Sequence, residues 1–333
     1  MSASIKNVAD KAGVSTTTVS HVVNATRYVA DETKVRVFQA MKELDYRPNS
    51  AARSLRSQKS KTVGLLVPIL TSDTSNFFFM MVAQGIQNVL KNNGYNLILS
   101  NTNEKLEDEQ EQIKVLNSQL IDGLIIAPTA DEHSYLNDVI KGTYPVVFID
   151  RRPKGYERDC VLADGFKGTY EAIELLINKG HQKIGYITGE LGLTTSDERF
   201  EGYKKALEDH KISFNEAYVR VGKSTFEDGY GLTREIVGDD HVSALFIANN
   251  VMTMGAMGFL QEKRIRIPEE LAIIGFDDYE WTKITTPPLS VIKQPSYQLG
   301  EQAAEILLKK IKNPSQVYEE YRLPTQLVLR GSC

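Results

Sequence analysis

Residues 5–23 read IKNVADKAGVSTTTVSHVV. Ile5, Val8, Ala9 and Ala12 recur at helical spacing, which predicts a short helix with one apolar stripe. Gly13 then ends it, because glycine enters a left-handed turn at little steric cost. Ser15 is a good N-cap for a second helix. Val14 and Val19 bracket that cap at the positions of a hydrophobic staple. Val19, Val22 and Val23 fall on one face of the second helix; Thr16, Thr17, Ser20 and His21 fall on the other. A third helix is predicted near Asp31–Leu44, with Val35, Phe38 and Met41 facing inward and Asp31 as its cap. An apolar face that locks a helix onto its neighbours, opposite a polar face of hydroxyls and an imidazole, is the layout of a helix that reads base edges in a DNA major groove. The plainer reading is a small helical bundle with an ordinary polar surface.

Charge agrees with the first reading. The chain has 333 residues and a net charge of -4, yet residues 1–61 carry 11 Lys and Arg against 5 Asp and Glu. A basic head on an acidic body fits a polyanion-binding module joined to something else. The joint is RPNSAARSLRS (47–57). Pro48 ends the third helix, and Ala51, Ala52 and Leu55 would form a small apolar stripe on about two helical turns. So short a helix is unstable alone. Two copies could pack through their alanines on DNA and offer Leu55 as a wedge in the minor groove. A flexible linker is the alternative.

From Lys61 onward β-branched runs alternate with helical patterns. TVGLLVP (62–68), NLILS (96–100), GLIIA (123–127) and PVVFID (145–150) are separated by helical stretches near 78–93, 108–119 and 132–141. After a helix near 168–179 the scheme restarts with KIGYIT (183–188), YVRV (218–221), SALFIA (243–248) and LAIIGF (271–276). A helix near 252–263 carries Met252, Met254 and Met257, read as core packing, and a last strand is expected near 325–330. The fold class is therefore an all-α helix-turn-helix head plus an α/β body of two parallel-sheet lobes. The expected domains are 1–47 for the head, 48–60 for a hinge helix and linker, and 61–333 for the two lobes. Ligands of such lobes sit in the crevice at the carboxyl ends of the strands. The residues there are Phe77, Phe78 and Phe79, Asp150, Arg151 and Arg152, Arg199, Asn249 and Asn250, Asp277 and Asp278, and Gln294. Carboxylates, amides and aromatic faces together suit a polyhydroxylated ligand. The plainer readings are helix caps for Asp278 and Asp164, a solvated charge for Arg152, and core or dimer surface for Phe77.

VSTTTVSHVVN (14–24), RPNSAARSLRS, GHQKI (180–184), ERFEGY (198–203), IIGFDD (273–278) and TTPPLSVIKQP (285–295) resemble the LacI/GalR family of bacterial repressors over nearly the full chain. The wording is nearest the ribose- and purine-repressor branches. The resemblance implies that Thr16, Thr17 and His21, with Ser20, read bases. It implies that Asn24 and Arg27 support docking and that Leu55 intercalates; Arg53 and Arg56, which flank Leu55 in the basic joint, are further DNA-binding candidates. It implies effector contacts from Phe78, Phe79, Asp150, Arg199, Asn249, Asp277 and Gln294; Arg151, beside Asp150 at the same strand end, is a further effector-binding candidate. The expected partners are a pseudo-palindromic operator, a second copy of the chain and a small sugar-type effector. The purine branch has Arg where Leu193 stands and a stacking Phe where Ser224 stands, so a sugar is favoured over a purine. Arg151 and Arg152 depart from the ribose branch and would suit a sugar acid or sugar phosphate. A catabolite-control type with a protein coeffector stays open.

Other classes fall away. No apolar run reaches the roughly 18 residues of a membrane span, and the N-terminus lacks a signal-peptide core, so a cytoplasmic protein is expected rather than a free sugar-binding protein of a transporter. Two cysteines, Cys160 and Cys333, give no disulfide framework. His21, His133, His181, His210 and His241 lie at no metal-ligand spacing, and no P-loop, HExxH or GxSxG motif is present. No cofactor, metal or enzymatic activity is expected.

Overall fold

A computed structural model describes residues 3–24, 26–46, 60–69, 76–129, 132–140, 144–239, 242–314 and 317–333. The chain divides into two compact units, Met1–Ser60 and Lys61–Cys333. In the first unit, α1 (Ile5–Ala12) starts at Ser4, whose hydroxyl accepts the Asn7 N–H while the Asn7 side chain returns the bond. It stops at Gly13, whose φ of 66° is left-handed. Helix α2 (Thr16–Asn24) is capped by Ser15, whose Oγ accepts the Thr18 N–H at 3.1 Å. Val14 and Val19 both join the small core with Val8, Ala9, Ala12 and Val22. Helix α3 (Asp31–Glu43) corrects two expectations. Its inward stripe is Val37, Ala40 and Met41 rather than Val35 and Phe38, which are exposed. Both registers repeat at helical spacing, and packing against α1 decides between them. Asp31 is the first helical residue and not the cap; Ala30 holds that position, and Asp31 pairs with Lys34 at 2.8 Å. Ile5 also stays at the surface.

The second unit holds two six-stranded sheets. The first lobe runs β1 (Thr62–Val67), α4 (Asn76–Asn92), β2 (Asn96–Asn101), α5 (Leu106–Ser118), β3 (Gly123–Ile126), α6 (Leu136–Ile140), β4 (Val146–Ile149) and β5 (Asp159–Ala163). The second runs α7 (Gly165–Asn178), β6 (Ile184–Thr188), α8 (Thr194–Asp209), β7 (Val219–Val221), α9 (Phe226–Asp239), β8 (Ala244–Ile247), α10 (Asn250–Glu262), β9 (Ala272–Phe276), α11 (Glu280–Ile284) and β10 (Ser290–Lys293). The chain then recrosses: α12 (Ser296–Lys312) and β11 (Glu320–Leu323) return to the first lobe, and β12 (Gln326–Val328) to the second. Strand orders are β11-β5-β4-β3-β1-β2 and β12-β10-β9-β8-β6-β7. All neighbours are parallel except β12 on β10. The two lobes thus repeat one wiring, joined by three crossings near residues 164, 295 and 325.

Buried strands between two helix layers read as the continuous apolar runs seen in the sequence. Apolar clusters fill both faces of each sheet. Met252 and Met257 pack in one of them. Of the helix expected over 132–141, the described residues 132–140 are helical only in α6. Helix pairs close tightly where glycines meet. A Cβ on Gly85 of α4 would lie 2.1 Å from the Tyr297 carbonyl oxygen, and one on Gly300 of α12 would lie 2.0 Å from that of Val82.

Candidate nucleic-acid face and inter-lobe cavity

On the head, Thr16 and Thr17 are exposed at the start of α2, with Ser20 and His21 half-buried one turn later. The staple and Ser15 cap fix this helix, so the two threonines project from a rigid end. Ser20 and Asn24 are engaged with each other: the Asn24 amide donates to the Ser20 carbonyl at 2.8 Å and to its hydroxyl at 3.2 Å. His21 Nδ1 bonds Thr26 Oγ1 at 2.7 Å. Arg27 is exposed. Arg53, Leu55 and Arg56 lie outside the described residues, as does His241.

In the second unit, Phe78, Phe79, Asp150, Arg151, Arg199, Asn249, Asp277 and Gln294 all line one cavity of about 200 Å³. They come from six separate segments, each at the carboxyl end of a strand or in the first two turns of the next helix. Room of that size suits one small ring.

The geometry follows from the repeat. Asp150 ends β4 and Asp277 ends β9, the matching strands of the two lobes. Their φ values are 67° and 69°. Each backbone N–H donates to the neighbouring strand: Asp150 to the Val161 carbonyl at 3.0 Å, Asp277 to that of Ile292 at 2.8 Å. Left-handed backbone at a non-glycine residue is uncommon, although Asp tolerates it. Here it turns two carboxylates out of the sheet ends into the crevice. Buried Arg199 interacts with both carboxylates but forms no ion pair within 4 Å among the described residues; it donates from Nη1 to the Ala248 carbonyl at 2.7 Å and stacks 3.7 Å over the Phe276 ring. Its Nε has no hydrogen-bond partner. Burial lowers the Arg199 pKa, opposed by Asp277 and Asp150. Burial likewise raises the Asp150 carboxyl, opposed by Arg151 and Arg199. Gln294, on a crossing, donates to Asp277 Oδ1 at 2.8 Å while its own Oε1 is buried without a partner. A buried donor and acceptor left open beside two carboxylates form a site for vicinal hydroxyls.

Several candidates have structural employment. Asn249 caps α10, accepting the Met252 N–H at 3.1 Å, although it also faces the cavity. Phe78 and Phe79 pack edge to face at 5.1 Å within the first lobe's core and are almost wholly buried, although both also line the cavity. Phe77 is mostly exposed and meets Tyr279 of the other lobe at 5.6 Å. Asp278 pairs with Arg330 and Asp164 caps α7 through the Lys167 N–H, so both are structural.

The two arginines after Asp150 do not stand free. Arg151 lines the cavity, but its Nη1 lies 2.6 Å from Glu104 Oε1 and its Nε 3.5 Å from Asp150 Oδ2. Arg152 lies outside the cavity. It bonds Glu320 and meets Glu198 at 2.9 Å, and Arg322 bonds the same two carboxylates. Glu198 is on α8 and the others belong to the first lobe, so these four charges tie the lobes together outside the cavity lining. Both guanidiniums being matched by protein carboxylates, neither stands open to an anionic ligand.

Leu193 and Ser224 do line the cavity. Glu104, Thr195, Ser196 and Lys223 line it too and were not foreseen. They follow β2, β6 and β7. The rule that strand ends face the crevice would have found them had it been applied to every strand. Among the described residues no cluster of three His, Cys, Asp or Glu side chains could hold a metal, and no helix is long and apolar enough to cross a membrane.

Residues 4–49 match the family described as bacterial regulatory proteins, lacI family, and residues 173–333 match the periplasmic binding protein-like domain. Over 337 residues the chain is 37% identical to the HTH-type transcriptional repressor PurR of Haemophilus influenzae (strain PittEE), covering 99% of this chain and 98% of that protein. It is 36% identical over 331 residues to the ribose operon repressor of H. influenzae (strain ATCC 51907 / DSM 11121 / KW20 / Rd), with the same coverage. Among solved structures, the lac repressor dimer bound to operator and the anti-inducer ONPF is similar with a TM-score of 0.85 and 26% identity, covering 100% of this chain and 99% of that one. A LacI family regulator from Enterococcus faecium with bound ribose has a TM-score of 0.71 and 31% identity, covering 81% of this chain and 98% of that one.

Proposed function

The chain belongs to the lacI family of bacterial regulatory proteins, and on that premise we propose that its repression of transcription answers to a small neutral sugar held in the inter-lobe cavity. It is a DNA-binding repressor, acts as a dimer on operator DNA under a small-molecule effector, and is not an enzyme. The observation that carries the sugar reading is the pair of carboxylates, Asp150 and Asp277, presented by matching strand ends with Arg199 and Gln294 between them. Carboxylates accept from hydroxyls, and the open Gln294 oxygen and Arg199 Nε complete the set. The similarity to a repressor named for ribose and to a regulator solved with ribose supports it.

A purine is the second reading, favoured by the similarity to PurR. Leu193 and Ser224 weigh against it. The first cannot hydrogen-bond a purine edge, and the second gives no face on which a base would stack. Thermal unfolding separates the two, because a ligand that binds only the folded state raises the melting temperature. Ribose, other pentoses or hexoses should raise it. A rise with hypoxanthine or guanine and none with sugars would overturn the sugar reading.

The effector acts by preferring one arrangement of the lobes, and about 1 to 3 kcal/mol of coupling to operator binding suffices. We assign operator reading to Thr16 and Thr17, with Ser20 and His21 flanking. Thr17→Ala should relax base preference at one or two half-site positions by about 1–3 kcal/mol each, measured by binding to operator variants. An unchanged preference profile would remove Thr17 from the reading set.

A further inference from the structure

The cavity carries a charge that its proposed ligand does not need. Among its more enclosed ionisable groups, Glu104, Asp150 and Asp277 face Arg151 and Arg199. Arg199 faces the two aspartates without an ion pair within 4 Å among the described residues, and Lys223 also lines the cavity but is exposed to solvent. Arg151 is the enclosed cation placed beside a single carboxylate of another loop: Glu104 meets it at 2.6 Å, and the Pro128 carbonyl accepts a second bond from the same nitrogen at 3.2 Å. The Arg151 Nε is buried with no hydrogen-bond partner.

Glu104 is held there by its loop. Asn103 and Glu104 both adopt left-handed backbone, with φ of 49° and 57°. Two such residues in succession are strained outside glycine. The strain is supported by Asn101, whose side chain accepts the Ile69 and Asn103 N–H groups at 2.8 and 2.9 Å and donates to the Ile69 carbonyl at 2.7 Å. Asn103 is anchored further by Asp108 at 2.8 Å. A braced, strained loop that delivers one carboxylate to one guanidinium on a cavity wall is more than a surface ion pair.

We propose that Glu104 sets the charge class of the effector: by occupying Arg151 it makes the cavity take neutral polyhydroxyl ligands and refuse the matching sugar acids. This rests on the sugar reading above. With Glu104 present, a ligand carboxylate meets a wall with one negative charge in excess and must displace a charge-assisted bond. Without it, Arg151 offers its fork to that carboxylate.

The test is calorimetric titration of the full-length protein and of Glu104→Gln with ribose, glucose and galactose and with ribonate, gluconate and galacturonate. The variant should gain at least roughly tenfold in affinity for one of the acids, as a new charge-assisted bond provides, and the gain should shrink with added salt. It should vanish in Glu104→Gln combined with Arg151→Gln. Glu104→Ala carries the same expectation, so the result does not hang on one variant's folding, which thermal unfolding monitors. No gain for any acid in a folded variant overturns the assignment, whatever the parent protein binds. A parent that binds one of these acids as tightly as the neutral sugars overturns it as well. A parent that binds no neutral sugar, beside a variant that gains an acid, refutes the sugar reading and leaves the role of Glu104 standing.

Discussion

Asp277→Asn weakens effector binding by roughly 30- to 150-fold, about 2–3 kcal/mol, and leaves operator affinity within about twofold. The carboxylate of Asp277 stands at the end of β9 on the cavity wall, where it accepts from Gln294 and can accept from a ligand hydroxyl as well. Replacing it removes a charge-assisted acceptor and leaves buried Arg199 with one fewer opposing charge. Asparagine is the better substitution than alanine. It tolerates the φ of 69° at this position and keeps the side-chain shape, so the loss reports charge and not backbone strain. Titration with the sugar identified by thermal unfolding gives the affinity, and gel retardation gives operator binding. Effector affinity within threefold of the parent's would remove Asp277 from the ligand set and, with it, the assignment of the cavity.

The cavity was readable because it obeys a rule that needs no side-chain detail. Parallel strands present their carboxyl ends to one side, so residues as distant as Phe78 and Gln294 meet there. What the residues do once there was less readable. The partners of Arg151 and Arg152 are 47 and 168 residues away in sequence, and nothing local marks them. Strand β5 was missed for a related reason. It reads DCVLA and begins with a charge that looks like a loop residue. Asp159 is buried only because Lys310 meets it at 2.9 Å and the Glu319 N–H donates to it. The edge strand β11 beside it likewise shows no apolar run, with alternating half-exposed residues on the rim of a sheet. In the head, the period of α3 was legible but its phase was not: Val35 and Val37 are both β-branched and apolar, and only contact with α1 decides which is buried.

Gly300→Ala should lower the melting temperature of the protein by roughly 6 °C or more, a loss of about 3 kcal/mol at the high end for overpacking. The substitution is chemically minimal, and in an exposed helix it would stabilise by up to about 1 kcal/mol. Here the added methyl would lie 2.0 Å from the Val82 carbonyl oxygen and 3.0 Å from the Ile86 nitrogen. Both are backbone atoms of a helix and cannot swing aside, so α12 and α4 must separate along their length. Gly85 meets Tyr297 in the reciprocal way from the other side, which leaves no direction of easy relief. The shift would reach the cavity too. Helix α4 carries Phe78 and Phe79, and α12 begins two residues after Gln294. Effector affinity should therefore fall along with stability. Gly231→Ala is the control. It lies within α9 with nothing within 4 Å of the added carbon, so the same change there should raise the melting temperature or leave it unchanged. A Gly300→Ala protein that melts with the parent would mean that the two helices are not in backbone contact, and the packing that positions the aromatic wall of the cavity would have to be redrawn.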